Sequence, residues 1–302
     1  SPCWREGPDM TRTVGFAGLG VMGGHMARKV AERFDLVVFD VDSSRMRGFP
    51  AAAASLSELG LKAGVVLLSL PTSEVVRTAV LGKGGLAEAL ARGSVVVDMS
   101  TTEPAVIHEI GRALDERGIS LLDAPVSGGE KGAAEGTLSF MVGGKQEVFD
   151  QCRAILQTMG SSIVRVGESG MGQVAKLVNN LIVGITFAAV AEGFVLGTRS
   201  GLKPEVLYEA IRNGWAGSRV LDVSVPAMLA RDFRPGGTVD IHWKDLGYAL
   251  AQAKETDVPV PVTALVHEIF KAARASGKGK LSQPSIVQLW ESLLGIEVKK
   301  SL

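Results

Sequence analysis

Along residues 13–166, short apolar runs alternate with stretches in which apolar positions recur every three or four residues. The runs at 13–18, 35–40, 64–70, 94–99, 119–123, 138–143 and 162–166 are brief and rich in β-branched residues, which predicts strands. Stretches such as 73–81, 86–92 and 103–117 carry the helical spacing. Strands alternating with helices of this length predict a mostly parallel, doubly wound sheet of Rossmann type. After Gly170 no strand pattern recurs, and helices are predicted over 171–200, 203–213, 217–225, 240–257, 262–276 and 283–294. The first of these is apolar nearly all round, which predicts burial on every side and a spine joining two domains or forming a subunit interface. The expected class is α/β, with a Rossmann domain over 10–170 and a second, all-α domain for substrate binding and oligomerisation over 171–302.

Composition narrows the picture. A chain of 302 residues with 46% hydrophobic residues has room for two buried cores. Lys plus Arg and Asp plus Glu number 32 each, so no basic field is available to draw in nucleic acid. Cys3 and Cys152 form neither a disulfide framework nor a metal-ligand spacing, in keeping with a reducing, cytoplasmic setting. His25, His108, His242 and His267 are scattered, and no metal is expected. The longest apolar run, 177–196, is interrupted by Asn179, Asn180 and Glu192, which fits a buried helix better than a membrane span. Residues 1–9, SPCWREGPD, lack the charged-then-apolar pattern of a leader and are either a native extension or an appended segment.

The densest chemical signal is TVGFAGLGVMGGHMA, residues 13–27. It reads as strand, glycine turn and helix start, with Gly18-x-Gly20-x-x-Gly23 in the turn and Asp40 ending the next strand. Gly18 permits the tight turn, Gly20 the approach of a pyrophosphate and Gly23 close helix packing, so a dinucleotide is the expected ligand. Its phosphates would sit against Leu19, Val21 and Met22 at the helix N-terminus, where unpaired amides favour negative charge. A carboxylate at Asp40 favours ribose hydroxyls over a 2′-phosphate, hence NAD, although Arg45 and Arg47 leave NADP possible.

Other candidates are ambiguous taken singly. Lys176 opens the apolar helix with Asn180 one turn on; it either lines a functional cavity or snorkels to the surface. Ser127-Gly128-Gly129, after the strand ending at Asp123, offers a hydroxyl and free amides for a carboxylate, or is a plain turn. Lys244-Asp245 begins another helix as a possible surface ion pair, and Trp215 and Trp243 either wall a pocket or pack in a core.

Together, GFAGLGVMGGHMA, DAPVSGG with GTLSFMVGG, GQVAKLVNN and WKDL resemble the signature segments of the β-hydroxyacid dehydrogenase family, in order from residue 13 to about 298. The resemblance implies NAD(P)-dependent interconversion of a small 3-hydroxy carboxylic acid and its semialdehyde by a homodimer or homotetramer. By that resemblance Lys176 is the catalytic lysine, Asn180 the amide beside it, and Ser127, Gly128 and Gly129 the substrate-carboxylate loop. Leu70, Pro71, Val75 and Thr101 line the nicotinamide end, and Lys244 reaches back to the cofactor. The C-terminal half looks most like the tartronate semialdehyde reductases, with 3-hydroxyisobutyrate dehydrogenases as the alternative. The pattern departs from the former at Trp215 and Trp243, where smaller aliphatic residues are usual. A non-catalytic dinucleotide-binding module, the other class of reading, is disfavoured by Lys176 and the intact Ser-Gly-Gly loop.

Overall fold

Five of the apolar runs form the parallel half of one sheet: β1 (Thr13–Ala17), β2 (Asp35–Phe39), β3 (Val65–Leu68), β4 (Val95–Asp98) and β5 (Ser120–Asp123). They lie in the order β2-β1-β3-β4-β5, with Val14 paired to Leu36 on one side and Val65 on the other. Outside β2 a one-residue bridge joins Val38 to Ala52. Successive side chains point to opposite faces, and both faces are covered. Val14, Phe16, Leu67 and Val97 join one core, while Ala17, Val66, Leu68 and Val96 join the other. Burial on both sides is why these strands read as continuous apolar runs.

The structure, a computed structural model, describes residues 13–301; residues 1–9 and Cys3 lie outside that range. Past β5, the sheet continues as β6 (Val126–Ser127), β7 (Leu138–Gly143) and β8 (Gly160–Gly167). β7 runs antiparallel to β5 and β6 and parallel to β8, so the sheet is mostly parallel and mixed at this end. Besides the predicted helices, Leu56–Lys62, Gly129–Glu135 and Gln146–Leu156 are helical.

The described chain forms two compact units that divide between Lys176 and Leu177. The second is wholly helical: the long helix Met171–Arg199 runs into it, followed by Pro204–Ile211, Arg219–Ala230, Val239–Glu255, Pro261–Ala273 and Val287–Leu294. Phe187, Phe194, Val225, Met228, Leu246, Phe270 and Ile286 meet in its core. The expectation that the long helix is buried on every side is not met. Leu177, Phe187, Ala191 and Phe194 are buried, but Val178, Ile182 and Leu196 are 51%, 58% and 69% exposed, with Ala189 exposed between them. These positions recur at helical spacing on one face, which the neighbouring helices of the unit leave uncovered. By length and composition alone this helix is apolar enough to cross a membrane, yet its other faces supply the unit's core.

Candidate functional site

The sheet order turns back at β1, between β2 and β3, and ligands of such sheets bind beyond the carboxyl ends of the strands at this switch point. The glycine turn lies there. Gly18 adopts φ +93° and donates its N–H to the Phe39 carbonyl (2.9 Å). A Cβ on Gly18 would overlap the Ser69 carbonyl oxygen, and one on Gly23 would overlap the Gly18 carbonyl oxygen. Both glycines are therefore steric requirements of the strand-turn-helix junction. Gly20 caps the helix Val21–Ala31 without any side-chain hydrogen bond, and the nearest atom to a Cβ built on it is an Arg45 nitrogen 3.8 Å away. Leu19, Val21 and Met22 complete the turn. An open, uncapped helix start of this length fits a pyrophosphate.

Asp40 has a role in the turn itself. The carboxylate is buried; Oδ2 accepts from the Leu19 N–H (2.6 Å) and Oδ1 from the Asp42 N–H (2.8 Å). It thus ties the glycine turn to the end of β2, with lone pairs left on both oxygens for a ribose. Arg45 stands 3.8 Å from Asp40 Oδ2 and 3.3 Å from Asp42 Oδ2, between two carboxylates. Hydrogen bonds from Ser44 hold the Asp42 carboxyl below its usual range, with Arg45 and Arg47 adding to the pull.

Leu70, Pro71 and Thr101 follow β3 and β4 at the same edge, and Val75 is partly exposed in the first turn of helix Ser73–Leu81, capped by Thr72. The Leu70 N–H donates to Ser100 Oγ (2.9 Å), which joins the two loops. Beyond β5, Ser127 lies in β6, and Gly128 and Gly129 adopt φ +136° and +64°. Open space lies where a Cβ on Gly129 would stand. Lys176 is buried, one and a half turns into the long helix. The first unit thus gathers the glycine turn, Asp40, Leu70, Pro71, Val75, Thr101 and the Ser-Gly-Gly loop at the carboxyl ends of its parallel strands.

In the second unit Asn180 donates through Nδ2 to Asp245 Oδ2 (2.7 Å), and the Asn180 carbonyl lies 3.0 Å from His242 Nε2. All three residues are buried. His242 reaches the helix because residue 184 is glycine: a Cβ there would lie 2.6 Å from Nε2. Lys244 pairs with Asp245 Oδ1 at 3.1 Å as an ion pair without a directed hydrogen bond, and its ammonium lies 4.9 Å from the Tyr248 ring centre. Lys244 is therefore part of a buried network, contrary to the solvated pair its sequence context allows. Its partner Asp245 orders both Asn180 and Lys244, and sequence spacing gave no sign that one carboxylate served two candidates.

The tryptophans separate. Trp215 is fully exposed between two helices and packs in no core, whereas Trp243 stacks on His267 (5.3 Å between ring centres) beneath the Arg274 guanidinium. Burial pushes the Cys152 thiol up to about 12, which leaves it an inert apolar side chain. Among the described residues no group of three His, Cys, Asp or Glu side chains is placed to hold a metal ion.

Comparison with known proteins finds relatives that span nearly the whole chain. Residues 13–167 match the family model described as the NAD binding domain of 6-phosphogluconate dehydrogenase. Residues 170–290 match the one described as NAD-binding of NADP-dependent 3-hydroxyisobutyrate dehydrogenase. The 2-(hydroxymethyl)glutarate dehydrogenase of Eubacterium barkeri is 37% identical, over 94% of this chain and 97% of its own. The 2-hydroxy-3-oxopropionate reductase of Escherichia coli is 34% identical, over 92% and 97%. A solved structure of Mycobacterium tuberculosis 3-hydroxyisobutyrate dehydrogenase with L-serine superposes with a TM-score of 0.85 at 30% identity, covering 93% of this chain and 99% of that one.

Proposed function

The chain belongs to the β-hydroxyacid dehydrogenase family of NAD(P)-dependent oxidoreductases acting on CH–OH groups, and we propose that its substrate pair is a small 3-hydroxy acid and its semialdehyde, tartronate semialdehyde foremost. The observation that carries this reading is Lys176, an amine side chain buried one and a half turns into the long helix, one helical turn from the buried amide of Asn180.

When bound, the nicotinamide supplies or accepts the hydride. The glycine turn and Asp40 hold the nucleotide, and Leu70, Pro71, Val75 and Thr101 line its reactive end. Lys176 gives its Nζ proton to the substrate oxygen during reduction and takes the hydroxyl proton during oxidation. Ser127 Oγ and the amides of Gly128 and Gly129 hold the substrate carboxylate, so the reacting carbon is presented in one orientation. The family resemblance assigns Asn180, oriented by Asp245, to the substrate and Lys244 to the cofactor. The charged flank of Asp40 and Asp42, with Arg45 already engaged by both, supports NAD over NADP. The buried, unpaired Cys152 fits a cytoplasmic enzyme.

The full-length likeness to the 2-hydroxy-3-oxopropionate reductase supports the tartronate semialdehyde reading. A 3-hydroxyisobutyrate dehydrogenase is the alternative, supported by the likeness to the Mycobacterium tuberculosis 3-hydroxyisobutyrate dehydrogenase structure. Turnover of tartronate semialdehyde, D-glycerate, 3-hydroxyisobutyrate, 3-hydroxypropionate, L-serine and L-threonate with NAD(H) and NADP(H) decides between them. The expected result is the highest kcat/KM on tartronate semialdehyde with NADH. A preference for 3-hydroxyisobutyrate selects the alternative, and no turnover of any substrate rejects both.

A further inference from the structure

The start of the long helix is held by a side chain that the reaction does not use. Asp123, the last residue of β5, is wholly buried. Its Oδ1 accepts from the Gly170 N–H (2.8 Å) and its Oδ2 from the Gln173 N–H (2.9 Å). Helix starts leave amides unpaired, and a carboxylate there also meets the positive end of the helix dipole. Two glycines make room for it. A Cβ on Gly143 would stand 2.5 Å from Oδ1, and one on Gly172 would stand 2.8 Å from Oδ2 and 2.5 Å from the Asp123 carbonyl oxygen. Burial pushes the Asp123 carboxyl up to about 6 against the pull of the Gly170 and Gln173 amides, with Asp98 adding to the rise. A carboxylate placed at such electrostatic cost is there for its contacts.

Gln173 carries the link further. It too is wholly buried; its Nε2 donates to the Ser100 carbonyl (2.9 Å) and its Oε1 accepts from the Thr102 N–H (2.9 Å). That loop is fixed from below by Asp98, which accepts from the Ser100 N–H (3.0 Å) and the Thr102 hydroxyl (2.6 Å). Ser100 Oγ in turn accepts from Leu70 N–H. The loops after β3 and β4, the end of β5 and the first helical turn are therefore joined by one connected set of hydrogen bonds, buried but for the part-buried Leu70–Ser100 link. Lys176 lies three residues beyond Gln173, on the same side of the helix.

We propose that Asp123 and Gln173 are positioning residues for Lys176: together they fix the height and rotation of the helix start relative to the strand ends that carry Leu70 and Thr101. The proposal rests on Lys176 as the proton donor. A misplacement of about 1 Å at a reacting group costs up to about a hundredfold in rate, so loosening this clamp lowers kcat and leaves the nucleotide seat at Gly18–Gly23 alone.

The test uses Gln173→Glu, which keeps the acceptor for Thr102 and loses the donor to Ser100, and Asp123→Asn, which can accept only one of the two amides. Four quantities are read: kcat, KM, the Kd of NADH by fluorescence quenching, and the Lys176 signal in protein containing lysine labelled with 13C at Cε. The signal is assigned by its loss in Lys176→Ala. The expected result is a fall in kcat of roughly tenfold to a hundredfold, an NADH Kd changed less than about twofold, and a shifted or broadened Lys176 signal in the cofactor-free protein. An unmoved signal with wild-type kcat in Gln173→Glu overturns the clamp, even where Asp123→Asn does not fold. If Lys176→Ala turns over normally, the proton-donor reading fails instead, and the 13C signal still decides whether Asp123 and Gln173 position the side chain.

Discussion

At the scale of single residues, two buried ionisable side chains carry the proposed chemistry. Lys176 is proposed to move the proton and Asp123 to hold the helix on which Lys176 stands. Lys176→Ala removes the only proton-carrying atom the proposal assigns, while Asp123, Gln173 and the glycine turn stay in place. The expected outcome is a kcat lower by roughly 10²- to 10⁴-fold, the span usual for a general acid, with unaltered NADH binding. Stopped-flow turnover and fluorescence quenching check the two halves, and a near-normal kcat removes Lys176 from the mechanism. Asp40 shows how a single residue can be read correctly in kind and incompletely in role. Its position after β2 points to a ribose, and in the fold both of its oxygens already accept backbone N–H groups from Leu19 and Asp42. Sequence offers no sign of this, because those bonds depend on the turn folding back across β2.

At the scale of elements, the junction of β1 with helix Val21–Ala31 depends on Gly23, whose missing Cβ lets the helix rest on the Gly18 carbonyl. Gly23→Ala must push the helix away from the turn. NADH affinity is then expected to fall by at least roughly tenfold, about 1.4 kcal/mol, with the fold retained by far-ultraviolet circular dichroism; unchanged affinity in a titration refutes the close-packing role. Legibility followed the strength of local signals. Strands buried on both faces announced themselves as apolar runs, and Ser73–Leu81 lies where its spacing placed it. Leu56–Lys62 also had a signal that periodicity does not capture. Ser55 accepts from the Glu58 N–H while Glu58 reaches back to the Ala54 N–H, a near capping box. Gly129–Glu135 had none, being built of glycine, alanine and charged residues. The network of Asp123, Gln173, Ser100 and Asp98 was invisible for another reason: its members lie 30 to 73 residues apart or bond through backbone groups that no side-chain pattern encodes.

At the scale of the whole molecule, the sequence argued for a long apolar helix with no exposed face, and the structure shows one face open within the second unit. Val178, Ile182, Ala189 and Leu196 form an apolar stripe more than four turns long. A largely apolar strip of that length in water, with Glu192 exposed at its edge, is a marker of association. Closed symmetric dimers meet through the same patch on both copies, so a stripe on one helix suits a two-fold contact in which each copy covers the other's Ile182. We propose a homodimer or homotetramer built on this contact. Ile182→Glu places a carboxylate at the centre of the stripe without touching Asn180, Asp245 or the core of the unit, since Ile182 is 58% exposed. Burying two unpaired carboxylates across a two-fold axis costs more than the apolar contact returns. The expected outcome is a lower molar mass by light scattering at concentrations where the wild type is oligomeric, with circular dichroism unchanged. An Ile182→Glu protein that keeps the wild-type mass assigns the interface to another surface, and a wild type that is monomeric removes the assembly altogether.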